Sequence, residues 1–135
     1  MFLSKKPNMP EPYLFEYAVI RVVPRVEREE FMNVGVILLC SGQEFLDVRY
    51  KLDEDRLKYF VQDMDLTEVK KYLEAILHIS KGLPEGGPIG RLPLSERFRW
   101  LTARRSTVVQ TSPVHPGLCR DALPTLERLY NLLVL

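Results

Sequence analysis

Residues 17–40 read YAVIRVVPRVEREEFMNVGVILLC, two apolar runs parted by a charged insert that begins at a proline. In the first run Tyr17, Val19, Arg21 and Val23 alternate with Ala18, Ile20 and Val22, so both faces are apolar apart from one arginine. A strand covered on both sides reads this way, whereas a half-exposed strand alternates apolar with polar residues. Pro24 ends it, because proline has no amide proton to give to a ladder. The second run, residues 34–40, is too short for a typical helix and rich in β-branched side chains, so it predicts a second strand paired with the first. The insert RVEREE, residues 25–30, is then a helical turn or tight connection between them.

Reading outward, Ser41, Gly42 and Gln43 make a turn. Residues 45–50 place Leu46, Val48 and Tyr50 on one face and Asp47 and Arg49 on the other, which predicts a half-exposed third strand completing a meander. A short helix is expected over 53–60. A clearer one starts at Asp65, with Glu68 three residues later as in a capping box, and carries Val69, Tyr72, Leu73, Ile76 and Leu77 as an apolar stripe up to a stop at Gly82. GLPEGGPIGRLP, residues 82–93, holds four glycines and three prolines and predicts a loop without regular structure. Ser95 is expected to cap a short helix to about Ala103 that buries Phe98, Leu101 and Trp100. Residues 105–111 predict a fourth strand, and SPVHPG, residues 112–117, a turn. A last helix capped by Asp121 turns Leu123, Leu126, Leu129, Tyr130 and Leu133 to the core, with Pro124 tolerated in its first turn. The order predicts an α+β fold: a single domain over 13–135, a mainly antiparallel sheet of about four strands with helices chiefly on one face, and a loose tail over 1–12.

The chain has 135 residues, 46% hydrophobic and 27% charged, which suits one domain with a real core and fits neither a disordered nor a membrane protein. Its first residues meet prolines and acids before any long apolar stretch, so no secretory signal is read there and a cytoplasmic location is expected. Cys40 and Cys119 lack CxxC or CxxxH partners and read as reduced thiols with a core role. The net charge of +1 gives no global attraction to nucleic acid. Its distribution is uneven: residues 91–128 carry seven arginines, no lysine and three acids, and arginine is the side chain best suited to bidentate oxyanion recognition.

Two polar clusters could carry chemistry. Arg21 lies mid-strand among apolar residues, where an unpaired charge is costly, so it either pairs with Glu29 or Glu30, snorkels to a sheet edge, or binds an oxyanion. A helical turn would bring Arg25, Arg28 and Glu29 to one side of the insert, with Phe31 anchoring the turn in the core. Asn33 either satisfies loop backbone groups or orients a ligand, and Gly35 marks a bulge or a close approach. The second cluster is TARRSTVVQTSPVHPG, residues 102–117, with Arg104, Arg105 and Ser106 entering the fourth strand and Ser106, Gln110 and Ser112 on one face of it. His115 beyond it is either a turn residue or a general acid or base. His78 reads as a helix-end residue. No nucleophile elbow, phosphate loop or metal-ligand spacing occurs, so no cofactor and no metal are implied.

The stretches YAVIRVVPRVEREEFMNVGVILLC, ERFRWLTARRSTVVQTSPVHPGLC and LERLYNLLV make the chain resemble the bacterial family called domain of unknown function 3037, from about residue 15 onward. Arg21, Pro24, Arg28, Glu29 and the run from Asn33 to Val36 match its pattern. The family has no established activity, so the resemblance implies no mechanism. It does imply a neighbour, since similar members are often encoded beside a HipA-like kinase. Three functions are therefore expected in descending order. The first is an accessory binding module with a HipA-like kinase as partner. The second is an enzyme or ligand-binding protein for a phosphate-bearing molecule, in which Arg21, Arg28 and Arg105 hold the oxyanion and Glu29 or His115 moves a proton. Nucleic-acid binding through the arginine-rich third comes last.

Overall fold

The computed structural model describes residues 11–24, 30–60 and 65–135. The first strand, β1 (Tyr13–Val22), starts four residues before the predicted Tyr17, and β2 (Met32–Cys40) begins early enough to take Asn33 into the strand. Both extensions follow from pairing: Tyr13 to Tyr17 have a partner strand that the sequence reading does not contain, and Met32 and Asn33 pair with Val22 and Arg21. A 3-10 turn over Ser41–Gln43, with Glu44 in the left-handed region at φ 50°, leads into β3 (Phe45–Tyr50). Then come α1 (Glu54–Phe60), α2 (Leu66–Lys81), α3 (Leu94–Leu101), β4 (Val109–Thr111), β5 (His115–Cys119) and α4 (Ala122–Leu133).

The sheet is antiparallel throughout. Its order is β3-β2-β1, with the far edge of β1 shared: β4 pairs its Arg21 end and β5 its Tyr13 end. On one face Ala18, Ile20, Val22, Ile37, Leu39, Leu46 and Val48 pack with Leu57 of α1, Val69 and Leu73 of α2, and Phe98 and Leu101 of α3. On the other, Phe15, Val36, Leu38 and Cys40 pack with Ala122, Leu126 and Leu129 of α4. Three helices on one side and one on the other bear out the α+β expectation, and they explain why the two central strands are apolar on both faces. Gly35 sits where both predicted causes operate. The register slips between Ile20 and Arg21, and a Cβ on Gly35 would lie 2.6 Å from the Arg49 carbonyl oxygen.

Asp65 caps α2 by accepting from the amides of Thr67 and Glu68, and Gly82 ends it at φ 67°. The glycine-rich segment is not wholly irregular, since Pro84–Gly86 and Ile89–Arg91 form 3-10 turns. Ser95 does not cap α3; Pro93 holds that position, because its fixed φ and missing amide proton suit a helix start, and Trp100 is 42% exposed. Asp121 occupies the N-cap of α4 without a side-chain bond. The Gln43 carboxamide does that work from the β2–β3 turn: its Oε1 accepts from the Ala122 amide at 2.8 Å and its Nε2 donates to the Arg120 carbonyl at 2.7 Å. Leu123, expected in the core, is 41% exposed.

The predicted fourth strand is shorter than 105–111, and the predicted SPVHPG turn is largely strand. The Ser112 amide donates to the Val19 carbonyl at 2.8 Å, yet its hydroxyl, not its carbonyl, accepts from the Val19 amide at 2.9 Å. Pro113 follows, and the chain rejoins β1 as β5 at Tyr17. Pro116 is tolerated there because β5 is an edge. The insert over 25–29 and residues 1–10 of the expected tail lie outside the described residues. Among those described, no helix is long and apolar enough to cross a membrane.

Candidate functional site

Beyond the bulge, Arg21 is flanked in register by Asn33 of β2 and Gln110 of β4. Side chains opposite one another on neighbouring antiparallel strands stand about 5 Å apart, so these form one polar row across the sheet. The row lies on the α4 face, past the end of that helix, where the apolar cover stops. Asn33 reaches the helix end itself, its Nδ2 donating to the Leu133 carbonyl at 3.1 Å. That bond fixes the carboxamide and leaves Oδ1 buried without a partner among the described residues. Arg21 Nε is likewise buried without one, and the guanidinium carbon stands 4.1 Å from the centroid of the Phe31 ring. Phe31 is thus not the core anchor expected of it. It is 47% exposed because its ring serves as the lid on a guanidinium, an arrangement in which the cation prefers the ring face.

Phe31, Met32 and Asn33 form one wall of a groove of about 450 Å³, closed on the other sides by Arg56 and Tyr59 of α1 and by Leu133 and Val134. A smaller hollow of about 200 Å³ continues from it past Lys51 and Asp53, sharing Met32, Asn33, Arg56 and Val134. The Arg56 amide donates to Asp53 Oδ1 at 3.0 Å, which starts α1 and leaves the Arg56 side chain on the rim. Tyr59 is 95% exposed, unusual for an aromatic ring on a helix that buries Leu57. The groove and the hollow that continues it therefore combine two accessible aromatics, two cations, Arg56 and Lys51, and an amide floor.

The two clusters predicted from sequence do not form one site. Arg21 and Asn33 come together, and Gln110 joins them as its strand alternation implies. His115 lies not in a turn but in β5, opposite Tyr17, with ring centroids 5.4 Å apart. Its partner Tyr17 stands four positions before Arg21 on β1, about 13 Å of strand rise. Arg105 is outside the strand and ties off α3, donating to the carbonyls of Trp100, Leu101 and Ala103 while its guanidinium stands 4.3 Å from the Trp100 centroid. A residue so placed neutralises the carbonyl end of a helix and is not aimed at the groove. Arg104 and Ser106 are exposed beside it, and Ser112 is buried on Val19. Arg25, Arg28 and Glu29 lie outside the described residues. Two more of the seven C-terminal arginines are engaged within the protein: Arg97 on the carbonyls of Ile79 and Ser80, and Arg99 on both carboxylate oxygens of Glu16. The basic third is therefore not one continuous free face.

Sequence reasoning missed Arg56, Tyr59, Lys51 and the Leu133–Val134 end. A signal existed for the first two, an arginine and a tyrosine three residues apart on a helix with little apolar stripe. Nothing in a linear reading brings the last residues of α4 beside Asn33. Among the described residues no cluster of His, Cys, Asp or Glu could hold a metal ion.

The described residues thus form an antiparallel α+β domain with an aromatic and cationic groove at one end of its sheet. The chain belongs to the family described as "Protein of unknown function (DUF3037)", whose model matches residues 17–134. Comparison with curated proteins and with solved structures gives no match.

Proposed function

We propose that this chain is a bacterial cytoplasmic accessory module that works by binding, that its contact surface is the groove between the start of β2, α1 and the end of α4, and that its partner is a HipA-like kinase. One observation carries the placement: among the described residues, adjacent Arg21 and Asn33 each keep a buried polar atom unpartnered beside a groove flanked by exposed aromatics. Buried polar atoms without partners are rare in folded proteins and mark places where something else completes the bonding. Exposed aromatics beside arginine are the side chains that dominate protein interfaces. The separation of His115 from Arg21, and the tethering of Arg105, favour binding over proton transfer at this site. The kinase comes from the family resemblance. Co-purification of the chain with the HipA-like protein encoded beside it tests the reading, with Phe31→Ala and Tyr59→Ala each weakening association about 10-fold or more. No association, or association indifferent to both variants, sinks it.

A second reading rests on Arg56 and Lys51. They line the same groove and its extension without an ion pair among the described residues, and would suit a phosphate-bearing ligand, with Glu29 as the candidate proton-transfer residue. Pyrophosphate titration of the free chain separates the two: saturable binding lost in Arg56→Gln supports the ligand, and none supports the protein partner alone.

A further inference from the structure

On the opposite face of the sheet, α2, α3 and β4 enclose a separate cavity of about 180 Å³. Its walls include Tyr72, Ile76 and Ile79 of α2, Trp100 and Leu101 of α3 and Val109 of β4, an almost wholly apolar lining. An apolar cavity of about 150 Å³ is large enough to take up benzene, so this one accommodates a single six-membered ring with a small substituent.

The polar lining narrows the chemistry further. Gln110 Nε2 donates to the Thr107 carbonyl at 2.9 Å, and the Thr107 hydroxyl donates to the Val109 carbonyl at 2.7 Å. Thr111 turns its hydroxyl toward the Thr102 carbonyl at 3.5 Å, and Arg105 gives its terminal nitrogens to the end of α3. The two threonine hydroxyls, their protons given to carbonyls, offer oxygen lone pairs to the cavity, while the Gln110 carboxamide lies on the other face of the sheet with Arg21 and Asn33. Such a rim accepts from a ligand N–H or O–H, and an anion would lose its hydration against the apolar walls.

We propose that this cavity is a binding site for a small, uncharged aromatic molecule carrying one hydrogen-bond donor, of the phenol or aniline type. It is independent of the groove around Asn33 and of any partner bound there.

Trp100 is the chain's single tryptophan, so its fluorescence reports on the site directly. Titration of the full chain with phenol is expected to give a saturable change, with benzene binding about five-fold more weakly for want of one net hydrogen bond. Benzoate is expected to bind more weakly than phenol. Ala75 lines the cavity from an exposed position on α2, so Ala75→Phe fills the space and is expected to abolish the saturable response with an unchanged melting temperature. Amide shifts in the unaltered chain give a second readout, expected at Ile76, Leu101 and Val109. No saturable response to phenol, shifts centred instead on Asn33, or phenol binding that survives in a folded Ala75→Phe protein would each overturn the site. Benzoate binding as tightly as phenol would overturn the acceptor chemistry.

Discussion

Arg21 and Asn33 face each other across β1 and β2 just beyond the register slip after Ile20, and each holds one buried polar atom without a partner among the described residues, Nε of the first and Oδ1 of the second. One is a donor and the other an acceptor, yet no bond joins them. An unmade bond of this kind costs about 1–3 kcal/mol per group in the free protein, so the pair is poorly explained as a stabilising clamp. It is better explained as the floor of a contact surface, with Phe31 stacked over the guanidinium to shield it.

Arg21→Met tests that distinction. Methionine keeps the length and the packing under Phe31 while removing the unpartnered donor, so chemical denaturation is expected to show a stability within about 1 kcal/mol of the parent. Association with the partner is expected to fall. A loss of about 3 kcal/mol or more in the free chain would identify the guanidinium as a structural ion and remove it from the site.

Gln43 joins the β2–β3 turn to the start of α4 through two hydrogen bonds, one into Arg120 and one from Ala122. Removing both in Gln43→Ala is expected to lower stability by about 1–2 kcal/mol, the range for losing a helix cap. Asp121→Ala, at the nominal cap position, is expected to cost under about 0.5 kcal/mol because its side chain caps nothing. Urea melts of the two variants check the order, and equal losses would refute it.

These caps show where sequence reading reaches its limit. Asp65 accepts from amides two and three residues away, a local relationship that spacing reveals, and the apolar stripes of β1, β2 and α2 are legible for the same reason. Gln43 caps a helix 79 residues further on, and no spacing rule reaches that far. The same holds for β5: a proline and a glycine inside HPGLC read as a turn, and only the vacant edge of β1 makes them a strand. Of the site, Arg21, Asn33 and Gly35 were readable because each breaks the pattern of its own strand. The groove was not, because α1, the start of β2 and the end of α4 meet only in three dimensions.

Ser112 carries the transition from β4 to β5, its hydroxyl accepting from the buried Val19 amide and donating to the Pro113 carbonyl at 2.9 Å. Ser112→Ala leaves that amide unsatisfied, with an expected loss of about 1–3 kcal/mol. Hydrogen exchange at Val19 is expected to accelerate by more than the global loss explains, because the local bond is gone. Exchange that tracks global stability alone would show that another group takes up the amide.

Cys40 and Cys119 are both buried on the α4 face, and burial raises the Cys40 thiol above the ordinary cysteine value of 9.0, with the Cys119 thiol beside it adding to the effect. Tyr50 and Tyr130 are raised above 10.0 for the same leading reason, burial, with Glu74 contributing at Tyr50. For each group the folded state holds its proton more tightly than the unfolded state. The stabilisation is therefore fully present below the unfolded values and is lost as pH rises through the folded ones. Stability is expected to be insensitive to these groups near neutrality and to decline above about pH 9, first through Cys40. Cys40→Ala removes the earliest part of that alkaline decline, at the expense of some packing at all pH values. At neutral pH the two buried thiols are expected to react with a disulfide reagent at least about 100-fold more slowly than in the urea-unfolded chain. Denaturation midpoints across the alkaline range, measured beside native thiol titration, check both claims, and rapid native labelling of either cysteine would overturn the burial argument.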